Sequence, residues 1–153
     1  MKFTIRNATH SDAKAIYSIL LPYSDEGVII KRTIEEIKQN IKNFFVAETK
    51  NDIMGVISYY NYSDNLKEVR SLAVKKKYYK KGVGIALLKG LLNILLEDYP
   101  KARIFALSIH PKFFKKSGFI EISKDTLPEK IWKDCQNCIH QNNCDETALL
   151  FSN

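Results

Sequence analysis

The sequence predicts an α/β (α+β) domain, and three observations carry that prediction. The first is the stretch from Glu68 to Leu92. There Val69, Leu72, Ala73 and Val74 give an apolar strand pattern, and Tyr79-Lys80-Lys81-Gly82-Val83-Gly84 a basic glycine turn. Ile85, Leu87, Leu88, Leu91, Leu92 and Leu95 then recur at helical spacing. The second is a hairpin pattern, Phe44-Phe45-Val46-Ala47 and Ile53 to Tyr60 around the polar turn Lys50-Asn51-Asp52. The third is composition: 153 residues, 45% apolar and 27% charged, suit one globular core and not a disordered chain. With no internal repeat or low-complexity linker, residues 1–153 read as one domain.

The elements follow in order. Residues 2 to 7 alternate in polarity as a first strand, and Thr9-His10-Ser11-Asp12 starts a helix whose apolar face is Ala13, Ile16, Tyr17 and Leu20, closed by Pro22. After the turn Ser24-Asp25-Glu26-Gly27 comes the apolar run Val28-Ile29-Ile30, then Lys31-Arg32. Thr33 and Glu36 form a capping box for a helix striped by Ile34, Ile37 and Ile41. The hairpin follows, then a turn at Tyr62 to Asn65, a strand from Lys67 to Val74, the glycine turn, and a long helix ending near Tyr99-Pro100. Ile104 to Leu107 is a buried-type strand, and Pro111 to Lys116 a short helix begun by its proline and stopped at Gly118. Phe119 to Ile122 and Thr147 to Phe151 are the last strands, separated by a polar, cysteine-bearing insert.

Several function classes drop out. No apolar run is long enough to span a membrane, and the alternating N-terminus lacks a signal-peptide core, so a cytoplasmic protein is expected. The net charge of +7 suits a phosphate-bearing partner, whether a nucleotide cofactor, RNA or DNA, but no recognised nucleic-acid motif accompanies it. Glycines in the turn let the backbone approach a ligand, and the following helix start offers unpaired amides and a positive dipole end, so an anion is the expected guest. Three cysteines, all between 135 and 144, are an odd number and disfavour a disulfide framework. Cys135, Cys138 and Cys144 with His140 could complete a zinc site, or the three thiolates could hold an iron–sulfur cluster; free or partly oxidised thiols remain the alternative.

This order of elements and its glycine loop resemble the GNAT superfamily of acyl-CoA-dependent N-acyltransferases over nearly the whole chain. Gly82 and Gly84 fill the glycine places of that family's signature, and Tyr79 stands where an Arg or Gln is usual. Phe113-Phe114-Lys115-Lys116-Ser117-Gly118-Phe119 is similar to the family's aromatic-Tyr-x-x-x-Gly-Phe segment, with Phe114 in place of the tyrosine. The resemblance implies a central mixed, mostly antiparallel sheet of about seven strands flanked by about four helices, with an insert at about 124–145 before the last strand. It also implies acetyl-CoA as co-substrate. The residues meeting it would be Leu72, Ala73, Val74, Tyr79, Lys80, Lys81, Gly82, Val83, Gly84, Ile85 and Phe114.

Within the superfamily the chain is most similar to the acetyltransferase domain of N-acetylglutamate synthase and to stand-alone amino-acid N-acetyltransferases of that group. Leu21 to Arg32, Thr33 to Ile37 and Glu68 carry this likeness. It implies Glu68 as the base that removes a proton from the acceptor ammonium, with a strand-end carboxylate paired to a lysine as the structural alternative. Lys31 and Arg32 would meet an amino-acid carboxylate, glutamate being the favoured acceptor. The group's Thr-Thr-Arg-Ser segment is missing; Leu107-Ser108-Ile109-His110-Pro111-Lys112 stands there, which offers Ser108 and His110 to the substrate. Other readings stay open: acetylation of another amine, a protein or an aminoacyl-tRNA; a non-catalytic acyl-CoA-binding module; a basic RNA-binding protein. Family members are often dimers, so a homodimer is also an option.

Overall fold

The structure is a computed structural model that describes residues 2–29, 31–126 and 146–152. Seven strands form one sheet: β1 Thr4–Asn7, β2 Phe44–Thr49, β3 Asp52–Ser63, β4 Leu66–Val74, β5 Arg103–Ser108, β6 Phe119–Ile122 and β7 Thr147–Phe151, in the order β1-β2-β3-β4-β5-β7-β6. Every neighbouring pair is antiparallel except β4 and β5. Four α-helices accompany it among the described residues: α1 Ala13–Asp25, α2 Ile34–Gln39, α3 Val83–Asp98 and α4 Pro111–Lys115. The mixed, mostly antiparallel sheet expected from the sequence is therefore present; the cysteine insert lies almost wholly outside the described residues.

Both sheet faces are covered because the strands carry apolar residues on both sides. Phe45, Met54, Ile57 and Val69 pack against Leu87, Leu88, Leu91 and Leu95 of α3. On the opposite face Phe44, Val46, Val56 and Ala73 pack against Ile16, Ile19 and Leu20 of α1 and Ile37 of α2. At the start of α1, Asp12 accepts the Thr9 amide at 2.7 Å and takes two hydrogen bonds from the Arg6 guanidinium, at 2.8 and 3.0 Å. That guanidinium holds the Asp12 carboxyl at about 2, below the usual carboxylate range. In α2 the reciprocal bonds between Thr33 and Glu36 are both 3.1 Å, so the expected capping box forms.

The sequence placed the end of the first helix at Pro22, but α1 continues to Asp25. A proline removes a single amide donor, and in the last turn that cost is small. Ser24 Oγ also satisfies the Leu21 carbonyl at 2.9 Å.

Two irregularities prepare the functional site. β4 and β5 pair in parallel only at Leu66, Lys67 and Glu68 opposite Arg103, Ile104 and Phe105; beyond Glu68 the strands have no register partners and separate. On its other side β4 carries a bulge, because Val56 faces Ala73 while Ser58 faces Arg70. Ser71, inside it, sits at φ 52°, a left-handed conformation unusual for a residue other than glycine.

Candidate active site

The separation of β4 and β5 opens a cavity of about 430 Å³. One wall is β4 from Glu68 to Val74, and the other is Leu107 to His110 with Phe113 and Phe114 of α4. Crevices at the carboxyl ends of parallel strands are the usual ligand sites of α/β sheets, and this one forms at the only parallel pair among the described residues. Tyr23, Val28, Ile29 and Arg32, at and after the end of α1, also line it.

At the far end of β4 the chain turns through a 3₁₀ turn, Lys76–Tyr78, into α3. Lys80 and Gly82 both adopt positive φ, 63° and 79°. Gly82 caps α3, and the first bond within the helix runs from the Ala86 amide to the Gly82 carbonyl. The amides of Val83, Gly84 and Ile85 therefore precede the helical ladder and belong to its electropositive end. Gly84 lines the cavity, and a Cβ there would make ordinary contact with the Phe113 ring, at 3.4 Å.

Asp52, in the β2–β3 turn, fastens the segment between β4 and α3. Its carboxylate receives Lys75 Nζ at 2.7 Å and the Tyr78 hydroxyl at 2.6 Å, and Lys77 Nζ lies at 3.2 Å. Lys75 first, then Tyr78, holds this carboxyl far below its ordinary range. Tyr78 gives its hydroxyl to Asp52 and presents only its body to the cavity. Tyr79 instead meets Tyr23 hydroxyl to hydroxyl, and Tyr23 also donates to the Val74 carbonyl at 2.6 Å. Burial first, and then Tyr79, pushes the Tyr23 hydroxyl's pKa upward.

Glu68 occupies the point where the strands part and is 7% exposed. Its Oε1 accepts Arg70 Nε at 2.7 Å and the Tyr62 hydroxyl at 3.2 Å, and Arg70 Nη2 donates to the same hydroxyl at 3.0 Å. The Arg70 guanidinium lies 4.3 Å above the Tyr60 ring. Tyr60, Tyr62, Glu68 and Arg70 are alternate residues of the paired strands β3 and β4 and share a face. The partner of Glu68 is thus an arginine two residues on, where a lysine was the expected structural partner.

Of the residues expected at the site, Glu68, Leu72, Ala73, Val74, Tyr79, Lys80, Gly84, Phe114, Arg32, Ser108 and His110 line this one cavity. Lys81, Gly82, Val83 and Ile85 sit in the adjoining turn and first turn of α3 without lining it; Val83 is buried in the core. Lys31 is exposed and does not line it either. Ser108 Oγ accepts the His110 amide at 2.9 Å, so its hydroxyl shapes the strand end. Cys135, Cys138, His140 and Cys144 lie outside the described residues; among the described residues no cluster of His, Cys, Asp or Glu could hold a metal. No described helix is long and apolar enough to cross a membrane. Sequence reasoning missed Arg70, Ser71, Tyr23 and Phe113. The alternation of β4 places Arg70 beside Glu68 and could have revealed it.

A seven-stranded sheet whose single parallel pair splays beside a glycine-started helix defines an acyl-CoA-dependent acyltransferase architecture. The chain belongs to the acetyltransferase (GNAT) domain family, which matches residues 20–134, and it is an acetyl-CoA-dependent N-acetyltransferase. It is 39% identical to an uncharacterized N-acetyltransferase of Chlorobaculum tepidum over 95% of this chain and 94% of that one. It is 27% identical to an amino-acid acetyltransferase of Vibrio vulnificus over 81% of this chain but only 28% of the longer relative. Among solved structures it superposes on N-acetylglutamate synthase from Neisseria gonorrhoeae complexed with coenzyme A and N-acetyl-glutamate, with a TM-score of 0.88 and 25% identity. That match covers 99% of this chain and 35% of the synthase. A Mycobacterium tuberculosis protein crystallised with CoA shares the fold at TM-score 0.83 and 20% identity, over 98% of this chain and 99% of its own.

Proposed function

We propose that the protein transfers the acetyl group of acetyl-CoA to the amino group of a small amino acid, with glutamate the favoured acceptor, as arginine biosynthesis requires. The observation that carries this reading is the shared cavity: a buried carboxylate, Glu68, and a cation, Arg32, face the same space at the parting of β4 and β5. The relation to amino-acid acetyltransferases and the superposition on a synthase complexed with N-acetyl-glutamate support the choice of acceptor.

In this reading the amides of Gly82, Val83, Gly84 and Ile85, with Lys80 and Lys81, hold the pyrophosphate and 3′-phosphate of the coenzyme. Leu72, Ala73 and Val74 follow the Ser71 bulge, and in this reading their backbone amides serve the thioester oxygen as negative charge develops. Glu68, ion-paired with Arg70, takes a proton from the acceptor ammonium directly or through water. The neutral amine attacks the thioester carbon, the C–N bond forms and the C–S bond breaks; the nitrogen gives up its surplus proton to solvent as the amide forms, and the departing coenzyme thiolate takes one from solvent. Phe114 offers no hydroxyl for that last transfer, and the leaving thiol is acidic enough to need little help. Arg32 meets the acceptor carboxylate, with Lys31 at the rim and Ser108 and His110 on the opposite wall.

Release of free coenzyme A, followed with a thiol reagent against a panel of amino acids and simple amines, tests this. Turnover highest with glutamate is expected. Turnover confined to amines lacking a carboxylate would sink the proposal.

A further inference from the structure

The Lys75 amide donates to the Met54 carbonyl at 2.9 Å, so the peptide that joins Val74 to Lys75 turns its amide toward β3. In a trans peptide the carbonyl points the opposite way, and the Val74 carbonyl therefore faces the cleft, where β5 has already parted from β4. A carbonyl left out of the ladder needs a donor. The Tyr23 hydroxyl supplies it at 2.6 Å. Tyr23 has one proton to give and a carbonyl has none, so that proton is spent on Val74. Where the two tyrosine hydroxyls meet, Tyr79 is then the donor and Tyr23 the acceptor. The result is a directed chain from Tyr79 to Tyr23 to the Val74 carbonyl.

Tyr23 thereby joins three parts of the site. It lies in the last turn of α1, and its backbone carbonyl accepts the Val28 amide at 2.9 Å. That bond folds the chain back after the helix, and Val28, Ile29 and Arg32 then line the cavity. The Tyr23 hydroxyl grips the end of β4, and through Tyr79 it grips the turn that starts α3. Asp52 fastens Lys75, Lys77 and Tyr78 from one side, and Tyr23 fastens the next residue, Tyr79, from the other. Burial pushes the Tyr23 hydroxyl's pKa upward, so it remains a donor at neutral pH.

We infer that Tyr23 is a positioning residue which, directly and through Tyr79, holds the acceptor wall and the cofactor turn in fixed register with the end of β4. Tyr79 thus serves coenzyme binding by anchoring its own turn, at a place where the family usually has Arg or Gln. The inference rests on acetyl-CoA as co-substrate and takes from the proposed function only the placing of Val28 to Arg32 on the acceptor side. It does not depend on which amine is acetylated.

The test compares Tyr23→Phe, Tyr79→Phe and the double variant, which lose hydroxyls and keep the rings. Isothermal titration with coenzyme A needs no acceptor. Tyr79→Phe should weaken coenzyme A binding about fivefold, the loss of one hydrogen bond. Tyr23→Phe removes both bonds of the chain and should weaken it at least as much. The double variant should bind no more weakly than Tyr23→Phe, because members of one chain of bonds do not act additively. Initial rates with the amine that turns over best then separate the two ends. Tyr79→Phe leaves the bond from Tyr23 to Val74 in place and should keep the acceptor KM within about twofold, whereas Tyr23→Phe should raise it about threefold or more. A residue that only stabilised the fold would lower the melting temperature and leave these constants alone. Wild-type coenzyme A affinity in both single variants, effects that add in the double variant, or an acceptor KM that Tyr23→Phe does not move overturns the inference. A poor rate with glutamate would sink the proposed acceptor and leave the coenzyme A titrations to decide this one.

Discussion

Gly55 offers a test of how rigidly β4 must be held for the cofactor cleft to work. It lies in β3 directly opposite Val74, the last residue of the cavity-lining strand. A Cβ at position 55 would stand 2.9 Å from the Ala73 carbonyl oxygen and 3.2 Å from both Leu87 Cδ1 and Val74 Cγ2. The nearest atom is backbone and cannot rotate away, so Gly55→Ala must push β4 outward at Ala73 and Val74. Overpacking a filled interior by one methyl costs about 1–3 kcal/mol. In a chain of this size that lowers Tm by roughly 3–10 °C. Because the displaced residues border the cleft, the KM for acetyl-CoA should rise several-fold while the KM for the acceptor changes little. Urea or thermal melts and initial rates at varied acetyl-CoA read both effects. A variant with wild-type melting and an unchanged acetyl-CoA KM would refute the claim that β3–β4 contact shapes the site.

Two further predictions concern charge. Asp12→Asn should destabilise the protein by about 2 kcal/mol at neutral pH, because Arg6 lowers the carboxyl from its ordinary value to about 2 and the side chain is only 11% exposed. A depressed folded-state pKa gives stability that is present above the unfolded value and lost as pH falls through the folded one; the difference between variant and wild type in urea melts should therefore be full above about pH 5 and shrink toward pH 2. Asp52→Asn should raise the acetyl-CoA KM by freeing Lys75, Lys77 and Tyr78, yet change stability by less than about 1 kcal/mol, because this ion pair is a third exposed and screened. Isothermal titration with coenzyme A and a thermal melt separate the two; an unchanged affinity would show that the anchored turn does not shape the cofactor site.

The fold was legible because its signals are local. Capping boxes at Thr9 and Thr33, the polar turn at Asn51, the proline at 111 and the glycine at 118 each mark a boundary that the structure keeps. β3 runs longer than its apolar pattern, through Tyr60 to Ser63, because pairing with β4 sustains it where burial does not. The candidate site was legible where residue type dictates chemistry: Glu68 and Gly84, singled out from the sequence, both line the cavity. It was hidden where geometry depends on pairing. Ser71 carries no mark of a bulge, since glycine is the residue usually expected at positive φ and a serine holds it here through the strand register around it. The meeting of Tyr23 with Tyr79 joins residues 56 apart in sequence, which only the tertiary fold brings together. It also gives a role to a tyrosine that departs from the family's usual residue at that position.

The most direct test of the account is the rate of acetyl transfer to glutamate by Glu68→Gln at neutral pH. Glutamine keeps the shape of the side chain and its acceptor oxygen for Arg70, and removes only the ability to take a proton. The account predicts a fall in kcat of about 100-fold or more, with acetyl-CoA affinity retained and part of the rate recovered at high pH, where the acceptor amine is already neutral. A wild-type rate at neutral pH would contradict it.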